Sequence, residues 1–162
     1  MTRLLTTLAP SRAIPHRHGM TRENLRALFE QITATGFTEA SGFKVRDFEE
    51  GRVTLEAAPK PELAQFMGYV HAGVVTGLAD HAAGAAYASV LPEGKVCLTI
   101  ELKINFMKPA QGDMLAAEAK VISAGGTIGV VQSDVYGEKD GERVLCATAL
   151  VTLRATRAPG AS

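Results

Sequence analysis

The sequence has no surplus charge of either sign: 17 Lys and Arg stand against 17 Asp and Glu, giving a formal net charge of +0 and a pI near 6.9. Without a basic field there is nothing to gather polyphosphate, so nucleic acid is not an expected partner. Cysteine is scarce. Cys97 and Cys146 sit far apart inside apolar runs, which excludes a CxxC redox pair and reads as two buried thiols in a reducing cytosol. Long runs of Leu or Ile are also missing. The one apolar stretch of membrane length, Ala72 to Leu91, is carried by Ala and Gly and has Asp80 and His81 at its centre, so it reads as a buried helix and not as a membrane span. The apolar part of Met1 to Ala9 is too short for export, and the expectation is a cytoplasmic protein.

What is present suits one globular domain. The chain has 162 residues, 46% of them hydrophobic and 21% charged, enough for a real core and too balanced for wholesale disorder. Residues 1–19 hold Pro10, Pro15 and scattered charges with no sustained period, so they read as a loose arm, and Met20 is a second possible start. The domain is expected over 20–156, with a flexible tail over 157–162.

From Thr21, a plausible N-cap, Leu25, Leu28, Phe29 and Ile32 recur at helical spacing, and this helix should end before Gly36. Phe37 to Glu49 and Arg52 to Ala58 alternate apolar and polar residues around Glu50-Gly51, which predicts a hairpin. An irregular segment, Lys60 to Val70, leads into the Ala/Gly-rich helix. Thr99 to Phe106 then reads as a strand with Ile100, Leu102, Ile104 and Phe106 on one face and Thr99, Glu101, Lys103 and Asn105 on the other. Three more strands follow, near Met114 to Ser123, Thr127 to Tyr136 and Arg143 to Arg154. The class is α+β. One curved antiparallel sheet wrapped around a central helix satisfies these periods, and a two-layer sandwich does so nearly as well.

Within the long helix, Gly73, Gly77, Asp80, Gly84 and Ala88 fall on one face. Interior glycine costs roughly 1 kcal/mol each against alanine, so something should lie close against that face. A carboxylate there either is satisfied by hydrogen bonds or lines a cavity. Asp80 with His71 or His81 lacks the HExxH spacing of a zinc site, and neither metal nor cofactor is expected.

His71-Ala72-Gly73, then Asp80 and Gly84, resembles the His-Gly-Gly-x6-Asp-x3-Gly signature of the PaaI-type hotdog thioesterases. Lys103-Ile104-Asn105-Phe106-Met107-Lys108-Pro109-Ala110 followed by Gly112 resembles that family's strand ending in Pro-x-x-Gly. The resemblance spans about Phe43 to Leu153. It implies a hotdog fold and hydrolysis of an acyl-CoA thioester, with Asp80 as general base or nucleophile. It also implies that the amides of Ala72 and Gly73, at the positive end of the helix, meet the thioester oxygen, with His71 preceding them. Gln65 resembles an amide-bearing loop residue that holds substrate or water in related enzymes. Leu63, Phe66, Met67 and Tyr69 are candidates to line an acyl pocket for an aromatic or a short to medium chain. Some relatives carry Ser or Thr at the position of Gly84, and here Thr76, Thr99 or a partner-chain group would have to stand in.

Helix geometry adds a step. At 1.5 Å per residue Asp80 lies about 10 Å along the axis from Gly73, too far for both to touch one carbonyl. Two such helices running antiparallel across a two-fold axis would bring the amides of one to the Asp80 of the other, so a homodimer with composite sites is expected. The family also pairs such dimers into tetramers. The competing reading is a non-catalytic acyl-CoA-binding or regulatory module on the same fold.

Overall fold

The computed structural model describes residues 21–158; the arm expected over 1–19 and most of the expected tail lie outside the described residues. Thr21 opens helix α1 (Arg22–Thr33), its Oγ1 accepting a hydrogen bond from the Asn24 amide at 3.2 Å. Leu25 and Phe29 are its buried face, and Phe29 meets Phe48 edge to face at 5.3 Å. The guanidinium groups of Arg22 and Arg26 cover the same Phe48 ring at 4.8 and 5.5 Å.

The strand expected from Phe37 onward does not start there. Gly36–Ser41 forms a short helix, α2, and only Lys44–Glu49 is strand β1. The Thr38 hydroxyl reaches back to the carbonyls of Ile32 and Thr35 at 2.9 and 2.8 Å, which holds the chain in a turn. Gly42 ends it with a left-handed φ of +72°. Phe37 and Phe43, which a straight strand would hold about 20 Å apart, then meet edge to face at 5.7 Å. Alternation alone could not reveal this, because the hydroxyl competes locally with strand pairing.

The hairpin does form, joining β1 to β2 (Arg52–Ala57) with Gly51 at φ +76°. A single turn of 3₁₀ helix (Pro61–Leu63) precedes α3 (Ala72–Ala88), and β3 (Lys95–Phe106), β4 (Met114–Ala124), β5 (Ile128–Lys139) and β6 (Glu142–Arg157) follow. The six strands make one antiparallel sheet in the order β1-β2-β4-β5-β6-β3. Across its outer face Arg46 of β1 donates to Glu56 of β2 at 2.6 Å and forks onto Glu138 of β5 at 2.9 and 2.7 Å.

The helix α3 lies in the concave side of this sheet, the hotdog arrangement. Leu78, Ala79, Ala82, Ala83 and Ala86 are fully buried against inward residues such as Leu55, Leu115, Val131, Val135 and Val151. Alanine suits both demands on this element, since it has the highest helix propensity and lets the sheet come close. The helix stops at Ser89, whose hydroxyl donates to the Ala86 carbonyl at 2.7 Å and accepts from the Gly51 amide at 2.8 Å. Among the described residues no helix is long and apolar enough to cross a membrane.

Strand β3 differs from its expected pattern in a way that matters. It starts earlier, at Lys95, and its register against β6 shifts between Thr99 and Glu101. The resulting bulge at Ile100 flips the alternation, so that Cys97 and Thr99 before it and Leu102 and Ile104 after it all face the helix. Thr99 therefore sits on the side opposite to the one its spacing predicts.

Candidate active site

The bulge puts the Thr99 hydroxyl on Asp80: its Oγ1 donates to Asp80 Oδ1 at 2.8 Å. Among the described residues no other group bonds that carboxylate. Asp80 is half-buried, so the carboxylate is neither drowned in solvent nor stranded in the core. Thr76, the other hydroxyl that the sequence offers, instead donates to the Ala72 carbonyl at 2.8 Å on its own helix. Of the two hydroxyls, the one that reaches Asp80 comes from the neighbouring strand.

Asp80 stands at one end of an open cleft of about 490 Å³ between α1, α3 and β3. Leu28 and Ile32 of α1, Gly84 and Ala88 of α3, and Val96 and Cys97 of β3 line it. A Cβ placed on Gly84 would find only Leu153 Cδ2 near it, at 3.9 Å, so the helix face beside Asp80 is truly open there. Gly77 is different. Its missing Cβ would lie 2.6 Å from the Phe37 ring, so this glycine admits a side chain of its own subunit. The glycine face is therefore partly covered from within the chain, and not wholly reserved for a second helix.

Of the other titratable groups of the cleft, Cys97 is a poor nucleophile. Burial, then the nearby Asp80 charge, pushes the Cys97 thiol up to about 11; at neutral pH it stays a thiol and donates to the Gly84 carbonyl at 3.3 Å. Burial pushes the His81 imidazole below its ordinary value, against the opposing pull of Asp80. Its Nε2 has no hydrogen-bond partner among the described residues. No group of three or more His, Cys, Asp or Glu among the described residues is arranged to hold a metal ion.

At the far end of α3, His71 is the N-cap, and its Nδ1 accepts from the Gly73 amide at 2.9 Å. That bond needs an unprotonated Nδ1, so the ring proton sits on Nε2. Of the two amides expected to meet the thioester oxygen, the Gly73 N–H donates to His71, and the Ala72 N–H has no acceptor among the described residues. The preceding loop is closed by the Gln65 amide donating to the Tyr69 carbonyl and the Gly68 amide donating to the Gln65 carbonyl, each at 2.8 Å. The Gln65 side chain folds back, Oε1 accepting from the Met67 amide at 2.6 Å.

None of Leu63, Phe66, Met67 and Tyr69 lines the cleft beside Asp80 of the same chain. Leu63 packs on the core, whereas Phe66 is 97% and Met67 64% exposed. Within one chain, the Gln65 to Gly73 segment and Asp80 are not brought together. Sequence reasoning missed the α1 wall of the cleft and the inward turn of Thr99. The apolar stripe of α1 was visible as a core face, but nothing in its period says that Leu28 and Ile32 border a cavity.

The described geometry has clear relatives. The family model described as Thioesterase superfamily matches residues 67–144. A thioesterase family protein of Silicibacter pomeroyi has a solved structure that is 32% identical, covers 84% of this chain and 98% of its own, and superposes with a TM-score of 0.78. A thioesterase of Haemophilus influenzae is 26% identical over 85% of this chain and 92% of its own, with a TM-score of 0.74. By sequence the chain is also 26% identical to the 1,4-dihydroxy-2-naphthoyl-CoA hydrolase of Listeria monocytogenes, over 68% of this chain and 89% of that protein.

Proposed function

The chain belongs to the thioesterase superfamily and is a thioester hydrolase, and from that premise we propose that it cleaves acyl-CoA thioesters with Asp80 as the catalytic carboxylate, at a site shared between two copies of the chain. The observation that carries this reading is the carboxylate of Asp80, held by Thr99 at the end of an apolar cleft.

Thr99 occupies Oδ1 and leaves Oδ2 free, which either takes the proton of an attacking water or itself attacks the thioester carbonyl. As negative charge develops on the carbonyl oxygen, the Ala72 N–H at the positive end of α3 donates to it. His71 supports this by tying up the Gly73 amide and anchoring the first turn. The thiolate of CoA then leaves and is protonated by solvent; where Asp80 is the nucleophile, water cleaves the mixed anhydride so formed, releasing the acid and restoring the carboxylate.

Ala72 lies about 12 Å along the helix axis from Asp80 of its own chain, so the two act on one carbonyl only across a dimer. Two exposed features support that assembly. Among the described residues β3 pairs with β6 alone, leaving its other edge open, with Leu98 61% and Ile100 55% exposed. The Phe66 and Met67 side chains stand out from the loop before α3, the end that an antiparallel partner would present to Asp80. In this reading Gln65 and its loop serve the partner's site, and the pair of free thiols fits a cytoplasmic enzyme.

Purified protein offered benzoyl-, butyryl- and octanoyl-CoA should release free CoA thiol from at least one of them, and Asp80→Asn should cut kcat by 10²-fold or more with the size of the particle unchanged. Binding of all three without thiol release would support the non-catalytic module, and an Asp80→Asn variant that turns over normally would refute the assignment of the carboxylate.

A further inference from the structure

The cleft beside Asp80 has a shape and lining that the hydrolase reading alone does not specify. It runs from Asp80 past Gly84 to Ala88 along α3, about 12 Å at the helical rise per residue. Its volume of about 490 Å³ falls in the range of small-molecule pockets. Leu28 and Ile32 of α1 line one side, and β3 from Lys95 to Thr99 with Leu153 of β6 lines the other. No phenyl, phenol or indole ring lines it, and no hydroxyl other than Thr99. At the far end main chain lines the cleft, the Ala158 amide donating to the Gly94 carbonyl at 2.9 Å.

We infer that this cleft holds the acyl chain of the substrate as a linear aliphatic tail, with α1 as its roof and Ala88 near its floor setting how long a chain is accepted. The inference rests on the hydrolase reading for the direction of the tail, since the carbonyl must lie at Asp80. The chemistry of the walls selects the class. Leu28 and Ile32 on one side, Leu153 on the other and small residues along α3 leave a slot that a methylene chain fills. The placement also moves the acyl group away from Phe66 and Met67, which lie outside this cleft.

The test measures binding separately from turnover. S-alkyl-CoA thioethers, from ethyl to dodecyl, are titrated into the wild-type protein by calorimetry. Affinity should rise about two- to fourfold per methylene, as expected for buried methylenes, and then level off once the tail reaches the Gly94–Ala158 end. In the Ala88→Phe variant the ratio of octyl to ethyl affinity should fall at least tenfold, and the same ratio of kcat/KM for octanoyl- over acetyl-CoA should fall with it. A flat dependence on chain length in the wild-type protein overturns the inference, whether the cleft is filled by a second copy of the chain or the tail lies elsewhere. An affinity that keeps rising through dodecyl overturns the floor near Ala88. Should the thioethers follow the expected series while no acyl-CoA releases thiol, the cleft stands and the hydrolase reading fails. Thiol release with a flat thioether series has the opposite meaning.

Discussion

Asp80 depends on a single hydroxyl for its orientation, and that hydroxyl comes from a different element. Removing it with Thr99→Val should lower kcat about tenfold or more through loss of one hydrogen bond to a charged group, while Thr99→Ser should recover most of the rate; equal rates in all three would show that the bond is incidental. His81, the next residue, gives a pH dependence with a definite sign. Its folded-state pKa lies below the ordinary value of 6.5 because it is buried. The unfolded chain therefore binds the proton more readily, so the stability tied to neutral His81 is complete above about 6.5 and is lost as pH falls below it, by at most about 1.4 kcal/mol per pH unit. Urea unfolding at pH 7.5 and 5.5 should give this loss in the wild-type protein and less of it in His81→Leu. At this scale Asp80 was legible in the sequence, because a carboxylate on a helix face of small residues is anomalous wherever the helix packs. Thr99 was not, because one bulge residue decides which way it points.

At the scale of elements, α3 and the sheet fit each other through residues that cannot grow. Tyr87 is fully buried, and a Cβ on Gly129 of β5 would run into its ring. The ring has no free space to retreat into, so Gly129→Ala should destabilise the protein by about 1–3 kcal/mol, read as a lower urea midpoint with the slope unchanged. The long helix and most of the strands were visible as runs of alanine and as alternating patterns, since these reflect which faces must be buried. The short helix α2 and the bulge of β3 were hidden for a common reason. Each departs from a regular period through a local contest, a threonine hydroxyl against strand pairing in one case and one extra residue against the ladder in the other.

At the scale of the molecule, the dimer proposal has a consequence that no single-chain site shares. Ala72 is the first helical residue, and His71 before it has φ −60° and ψ 137°, a conformation compatible with a following proline. Ala72→Pro should thus keep the helix while deleting the N–H, with a loss of 10²–10³-fold in kcat. Neither Ala72→Pro nor Asp80→Asn dimers should turn over well. Unfolding and refolding an equal mixture should nevertheless restore about a quarter of wild-type activity, because half of the dimers are mixed and each of those has one intact composite site. No recovery, with mixed dimers confirmed by mass, would place both groups in one chain. A lysine at Ile100, on the open edge of β3, should weaken the dimer and lower activity in a concentration-dependent way, followed by sedimentation and initial rate together.

From the sequence by itself came the class of fold, the central helix, the carboxylate on it and the argument for proposing a second copy. These follow from composition, period and the fixed rise of a helix, which are local properties of the chain. Which hydroxyl meets Asp80, which first-turn amide remains free and where the apolar cleft lies were decided only by the tertiary structure. They depend on how α1, α3 and β3 meet, and contacts between residues distant along the chain leave no periodic mark in it.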